Sequence, residues 1–295
     1  MKIFKAFGSG FLRAAKAWKG VLIILFSSLM MASLIALPMK GAMKGAFGKS
    51  IITEKLLGGL DIEVLADLGA NLRSLSHFFS SGLLLLIIFG ILLNAFFTGG
   101  LFNTLRKSEK PDSFQEFFRE SAVNFWSFLG ISLIISIIIG FVGILVVGLP
   151  VSLVSQSQSG SEKTPFLIAM VTLSIFFIFV VILNLVADYA RAWLVAGKEK
   201  SCFKAIGFGF SRTFGKFLSS FSLMFITLIV LVLYNWLVLM ILGTWKPVTG
   251  MGVSFLFIVS QILFFCKIWL KTWRYGSVTS LMEQNNTDEK PIIEI

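Results

Sequence analysis

Residues 165–186 read PFLIAMVTLSIFFIFVVILNLV, without a single charged side chain. A helix rises about 1.5 Å per residue and the hydrocarbon core of a bilayer is about 30 Å thick, so about 20 mostly apolar residues suffice to cross it. Five other stretches, at 20–38, 81–97, 128–154, 218–242 and 253–269, are likewise apolar, with Lys267 the one charged residue among them. Inside lipid the backbone must satisfy its own hydrogen bonds, which leaves helices or closed barrels, and runs of this length select helices. The reading is an all-α, polytopic membrane bundle of six transmembrane helices.

Composition agrees. The chain is 56% hydrophobic and 14% charged, well below the roughly one quarter of a soluble domain. Mean hydropathy is +0.89. A net charge of +11 raises the question of nucleic acid. The basic residues instead flank the apolar stretches, where anionic head groups would meet them. No zinc-finger, helix-turn-helix or RNA-binding signature accompanies them, so no nucleic-acid partner is expected.

Basic residues also orient the chain. Lys2, Lys5, Arg13, Lys16 and Lys19 precede the first stretch. Arg106, Lys107, Lys110 and Arg119 follow the second, and Arg191, Lys198, Lys200, Lys204, Arg212 and Lys216 follow the fourth. Lys267, Lys271, Arg274 and Lys290 close the chain. The opposite side holds only Lys40, Lys44, Lys49, Lys55, Arg73, Lys163 and Lys246. The positive-inside rule puts both termini in the cytoplasm. The expected location is a bacterial inner membrane. Trp18, Trp126, Trp193, Trp269 and Trp273 fall where an inner aromatic belt would lie.

The segments on that side resemble one another. FKAFGSGFLR at 4–13 matches FKAIGFGFSR at 203–212, with Gly8 over Gly207 and Gly10 over Gly209. FQEFFRESAVNFWSF at 114–128 keeps the aromatic spacing without the glycines. Upstream, LLNAFFTGGLFNTLRKSEK at 92–110 aligns with ILNLVADYARAWLVAGKEK at 182–200, setting Asn94 over Asn184. Phe203, Ile206, Phe210, Phe214 and Phe217 form one apolar stripe at helical spacing. Three basic, Phe-rich amphipathic helices lying at the cytoplasmic interface are therefore expected. Ser113 and Glu116 have the form of a capping box, which starts the second of them at Phe114. The unit of interfacial helix, span, outer loop, span then occurs three times, at about 1–100, 101–190 and 191–280. Residues 1–280 form one transmembrane domain and 281–295 a polar tail.

In the outer loop at 39–80, Leu65, Leu68, Leu72, Leu75 and Phe79 make an apolar seam. It is read as a helix on the outer leaflet, or as a docking surface for a membrane or extracytoplasmic protein partner. SQSQSGSEKTP at 155–165 reads as a polar turn.

Polar side chains within spans are costly and mark candidate sites. They are Asn94, Asn184, Asp188, Arg191, Asn235, Gln261 and Lys267. Asn94, Asn184, Asp188 and Arg191 are expected to line a cytoplasm-facing cleft suited to a zwitterionic head group. The plainer alternatives are interhelical hydrogen bonds and, for the charged ones, snorkelling to the interface. Gly140 and Gly143 are candidates for close helix packing. No catalytic residues stand out: HExxH, GxSxG, Walker A and paired intramembrane carboxylates are absent. His77 is single, and Cys202 and Cys266 make no metal or disulfide pattern. No metal or cofactor is expected.

The segment DYARAWLVAGKEKSCFKAIGFGFSRTFGKFL at 188–218 resembles poorly characterised bacterial six-span families. Among them is the membrane domain fused to some glycerophosphodiester phosphodiesterases. The resemblance implies a six-span fold and carries no hydrolytic activity, because no phosphodiesterase domain is present. The expected function is a non-enzymatic, lipid-interacting or transport-associated membrane component. The alternatives are a small-solute or lipid transporter acting alone, and then an intramembrane enzyme.

Overall fold

A computed structural model describes residues 2–47, 69–106, 113–156, 163–197, 200–245, 247 and 249–288. Every regular element among them is helical: α1 (Lys2–Lys16), α2 (Trp18–Phe47), α3 (Gly69–Arg106), α4 (Phe114–Gly143), a π-helical turn (Ile144–Gly148), α5 (Leu149–Gln156), α6 (Lys163–Ala196), α7 (Cys202–Gly215), α8 (Phe217–Thr244) and α9 (Gly250–Asp288). Among the described residues six helical spans are long and apolar enough to cross a membrane, at Trp18–Pro38, Ser80–Arg106, Phe114–Val154, Thr164–Ala196, Phe217–Thr244 and Gly250–Asn285. The chain is an all-α polytopic bundle.

Local chemistry explains the helix ends and breaks. Ser113 caps α4 by accepting the Glu116 backbone N–H at 3.2 Å, as the capping box requires. The π-turn lies just before Pro150, which has no N–H and whose ring crowds the carbonyl four residues back. A wider turn absorbs both defects. Ala17 marks a bend between α1 and α2, with backbone bonds carried across it. Lys216 leaves helical geometry between α7 and α8, at φ −127° and ψ 49°. The second amphipathic segment has no such break: from Phe114 it runs straight into its span as α4. No Gly-Lys pair interrupts it, unlike Gly215-Lys216.

The chain forms two compact units. One is Ile23–Asn94 and carries the apolar lengths of α2 and α3; the other joins Met1–Leu22 to Ala95–Ile295. In the larger unit the core sits at one end of the spans, where α1, α7 and the end of α9 lie. Phe102 of α3 packs edge-on against Phe128 of α4 at 5.9 Å and tilts over Tyr275 of α9 at 4.8 Å. Leu105, Ile131, Leu185, Leu194, Leu223, Leu281 and Met282 fill in around them. Farther along, the spans expose their apolar faces, and none of the most apolar stretch of α8 is buried. Lipid tails are as apolar as these side chains, so tight packing there gains little.

Three contacts at the core end rest on small residues. Gly10 of α1 lies on α9, where an added Cβ would come 2.5 Å from the Ser277 nitrogen; Gly276, opposite, is equally tight against Gly10. Gly209 of α7 lies on α6, with an added Cβ 2.4 Å from the Val186 oxygen. Gly100 of α3 lies against Phe117 and Ser121 of α4 at similar range. Without side chains between them the backbones approach closely, and dispersion rather than water expulsion holds them. Gly8 and Gly207, two residues earlier, face open space. Of the two span-3 glycines, Gly143 meets the Phe176 ring, whereas Gly140 meets nothing.

The residues read as a polar tail from 281 onward divide. Helix α9 continues to Asp288, Leu281, Met282 and Asn285 are buried, and Glu283 pairs with Arg13 at 2.6 Å. Burial against α1 holds these residues in the helix; positions 289–295 lie outside the described residues. So does much of the outer loop: Leu65 and Leu68 are not described, and for Leu72, Leu75, His77 and Phe79 only the α3 backbone is. The polar turn at 155–165 is described as helix at 155–156 and 163–165.

Candidate functional site

Asp188 is wholly buried near the end of α6. One helical turn on, Arg191 reaches back to it, Nη1 to Oδ1 at 3.3 Å. From α9, Arg274 closes on the other side, with Nε 3.0 Å from Oδ2 and Nη2 3.5 Å from Oδ1. The 3.0 Å contact is an ion pair without hydrogen-bond geometry, because Asp188 Oδ2 and Arg274 Nε have no aligned partner. Arg191 Nη2 donates to Ser132 Oγ of α4 at 2.9 Å, and Ser132 in turn donates to the Phe128 carbonyl at 2.8 Å. That second bond turns a lone pair of Ser132 toward the guanidinium. Three helices thus meet at the cluster, α6 and α9 through the carboxylate and α4 through the Arg191 guanidinium.

Among the described residues the charge does not balance. Two guanidiniums surround one carboxylate. Arg191 is only 8% exposed and its buried Nε lacks a hydrogen-bond partner among the described residues. The Arg274 side chain keeps 21% of its surface. Its guanidinium lies 5.1 Å over Tyr275, with the Lys271 ammonium 5.8 Å from the same ring. Beside the cluster Tyr189 and Ser220 share a buried hydrogen bond at 2.9 Å. Other arginines cap helix ends: Arg106 donates to the Val195 carbonyl at 2.8 Å, and Arg13 to the Leu105 carbonyl at 3.3 Å.

The remaining predicted residues fall differently. Asn184 is half-buried one turn before Asp188, and its amide donates to the Val180 carbonyl of its own helix at 2.8 Å. Asn94 belongs to the Ile23–Asn94 unit and is exposed. Asn235 also turns back on its own helix, to the Leu231 carbonyl at 2.8 Å. Gln261 donates to Ser260 at 3.3 Å. Lys267 is exposed, as a snorkelling lysine would be. The α8–α9 hairpin is joined instead by Tyr234, whose hydroxyl donates to the Leu263 carbonyl. Because Asn184 bonds within its own helix, Asn184→Leu should move stability in detergent by no more than about 1 kcal/mol. A collapse of the thermal midpoint would show that the amide serves another helix.

Arg274 was not singled out from the sequence. The signal was present: extended to the third unit, the internal alignment sets Tyr189-Ala190 over Tyr275-Gly276, and so Asp188 over Arg274. Ser132 carries no such signal, since spans commonly hold serines that bond to their own helix. No protein-family model, no curated protein and no solved structure matches the chain.

Proposed function

We propose that this chain is a non-enzymatic membrane component that works through lipid interaction, alone or in support of transport. The observation that carries this reading is the Asp188–Arg191–Arg274 cluster. Its chemistry favours binding. Both carboxylate oxygens are engaged by guanidiniums, and among the described residues the cluster pairs no nucleophile with a base. Its surplus is of donors, which suit a polar head group at the end of apolar, lipid-facing spans. The test is extraction from native membranes with identification of retained lipid. Stoichiometric lipid without chemical turnover supports the reading. Solute movement after reconstitution alone would favour a transporter, and product formation from a bound lipid would make it an enzyme.

The same reading places the core end in the cytoplasm of a bacterial inner membrane, on the charge asymmetry of the connections. Reporters inserted at Ser157 and Thr249 should then signal the outside, and a reporter after Ile295 the inside. An external C-terminus would reverse the assignment. Threefold repetition belongs to this proposal too. It draws support from Gly10 and Gly209, aligned in sequence, which both seat an amphipathic helix on a span end.

A further inference from the structure

We infer that Arg191 and Arg274 form a binding site for a phosphate group, presented either by an anionic lipid head group or as free phosphate. The inference rests on the lipid-binding reading and narrows its ligand from zwitterionic to anionic. Charge is the first argument. Asp188 neutralises one guanidinium, so the cluster retains one positive charge in a site where the carboxylate is wholly buried and Arg191 nearly so. An unbalanced buried charge is costly, and a mobile anion removes that cost. Donor geometry is the second. Arg191 has an unpartnered Nε, and Arg274 engages Asp188 through Nε and Nη2 while its side chain keeps 21% of its surface. Planar guanidiniums match phosphate oxygens through paired N–H donors, with hydrogen bonds about twice as strong as neutral ones. Position is the third. The cluster lies past the apolar run of α6, where a head group would sit if its acyl chains lay along the exposed spans. Arg274 also lies over the Tyr275 ring, 5.1 Å from its centre.

The test uses the full chain in nanodiscs of phosphatidylcholine, with or without phosphatidylglycerol, and in detergent with inorganic phosphate. Retained lipid is read by native mass spectrometry and stability by thermal midpoint. Wild type should retain phosphatidylglycerol in preference to phosphatidylcholine. Arg274→Gln leaves the balanced Asp188–Arg191 pair, so it should fold and lose that preference about tenfold or more. Lys267→Gln, on the same helix but exposed, should keep it. If inorganic phosphate alone raises the midpoint and Arg274→Gln abolishes the rise, free phosphate is the source. If only the lipid acts, the head group is. Should Arg274→Gln fail to fold, Arg274→Lys keeps the charge and loses the fork, and must still bind more weakly. Lipid retained without regard to head-group charge, with no phosphate effect, overturns the anion site and leaves the lipid-binding reading standing. No retained lipid but a phosphate effect through Arg274 does the reverse. Equal losses in Lys267→Gln and Arg274→Gln would reduce the preference to general surface charge and overturn the site.

Discussion

Asp188→Leu is expected to cost about 3–5 kcal/mol of stability, enough to lower yield of folded protein sharply. The carboxylate is the common partner of Arg191 and Arg274, and it ties α6 to α9 while Arg191 ties both to α4 through Ser132. Its removal leaves two positive charges facing each other in a buried site. Arg274→Gln removes the surplus charge instead and should cost less, because a neutral pair remains. The double change Asp188→Leu with Arg274→Leu should recover part of the loss, since only Arg191 is then unpaired. Thermal unfolding in a single detergent, with yield from gel filtration, measures all three. Wild-type stability in Asp188→Leu, or no recovery in the double variant, would show that the ion pairs do not hold the three helices together.

Glycine substitutions should separate two pairs that look alike in sequence. An alanine at Gly209 would put a methyl 2.4 Å from the Val186 carbonyl oxygen, and one at Gly10 would lie 2.5 Å from the Ser277 nitrogen. Neither obstacle is a flexible side-chain tip, so the helices must move apart. We expect losses of about 1–3 kcal/mol for Gly209→Ala and Gly10→Ala, and more for leucine. Gly8→Ala and Gly207→Ala meet nothing within contact range, and better helix propensity should stabilise each by up to about 1 kcal/mol. The opposite order of midpoints would mean that α1 and α7 do not rest on α9 and α6 at these crossings.

Much of this was legible beforehand. The run at 165–186 has the length and lack of charge that admit only a spanning helix, and the other five follow the same physics. The Ser113 cap was readable because a capping box is a local hydrogen-bond pattern spaced by the first turn of a helix. The likeness of residues 4–13 to 203–212 was readable as well. Which glycine of each pair makes the contact was not. Gly8 and Gly10 carry the same absence of a side chain, and only the approach of Ser277 distinguishes them. The end of α9 misled for a related reason. Residues 281–288 are polar enough to read as a tail, yet burial against α1 and the Arg13–Glu283 pair hold them in the helix.

The sequence by itself determined the six spans and their apolar character, because backbone satisfaction in lipid depends on local composition. It also determined the pairing of Asp188 with Arg191, which the helical repeat places on one face. Only the tertiary structure decided that Arg274, far along the chain, completes the cluster, and that Asn184 and Asn235 turn back on their own helices. Those outcomes depend on which faces meet where α4, α6 and α9 converge. That convergence is a matter of how whole helix faces pack together, which local composition does not encode.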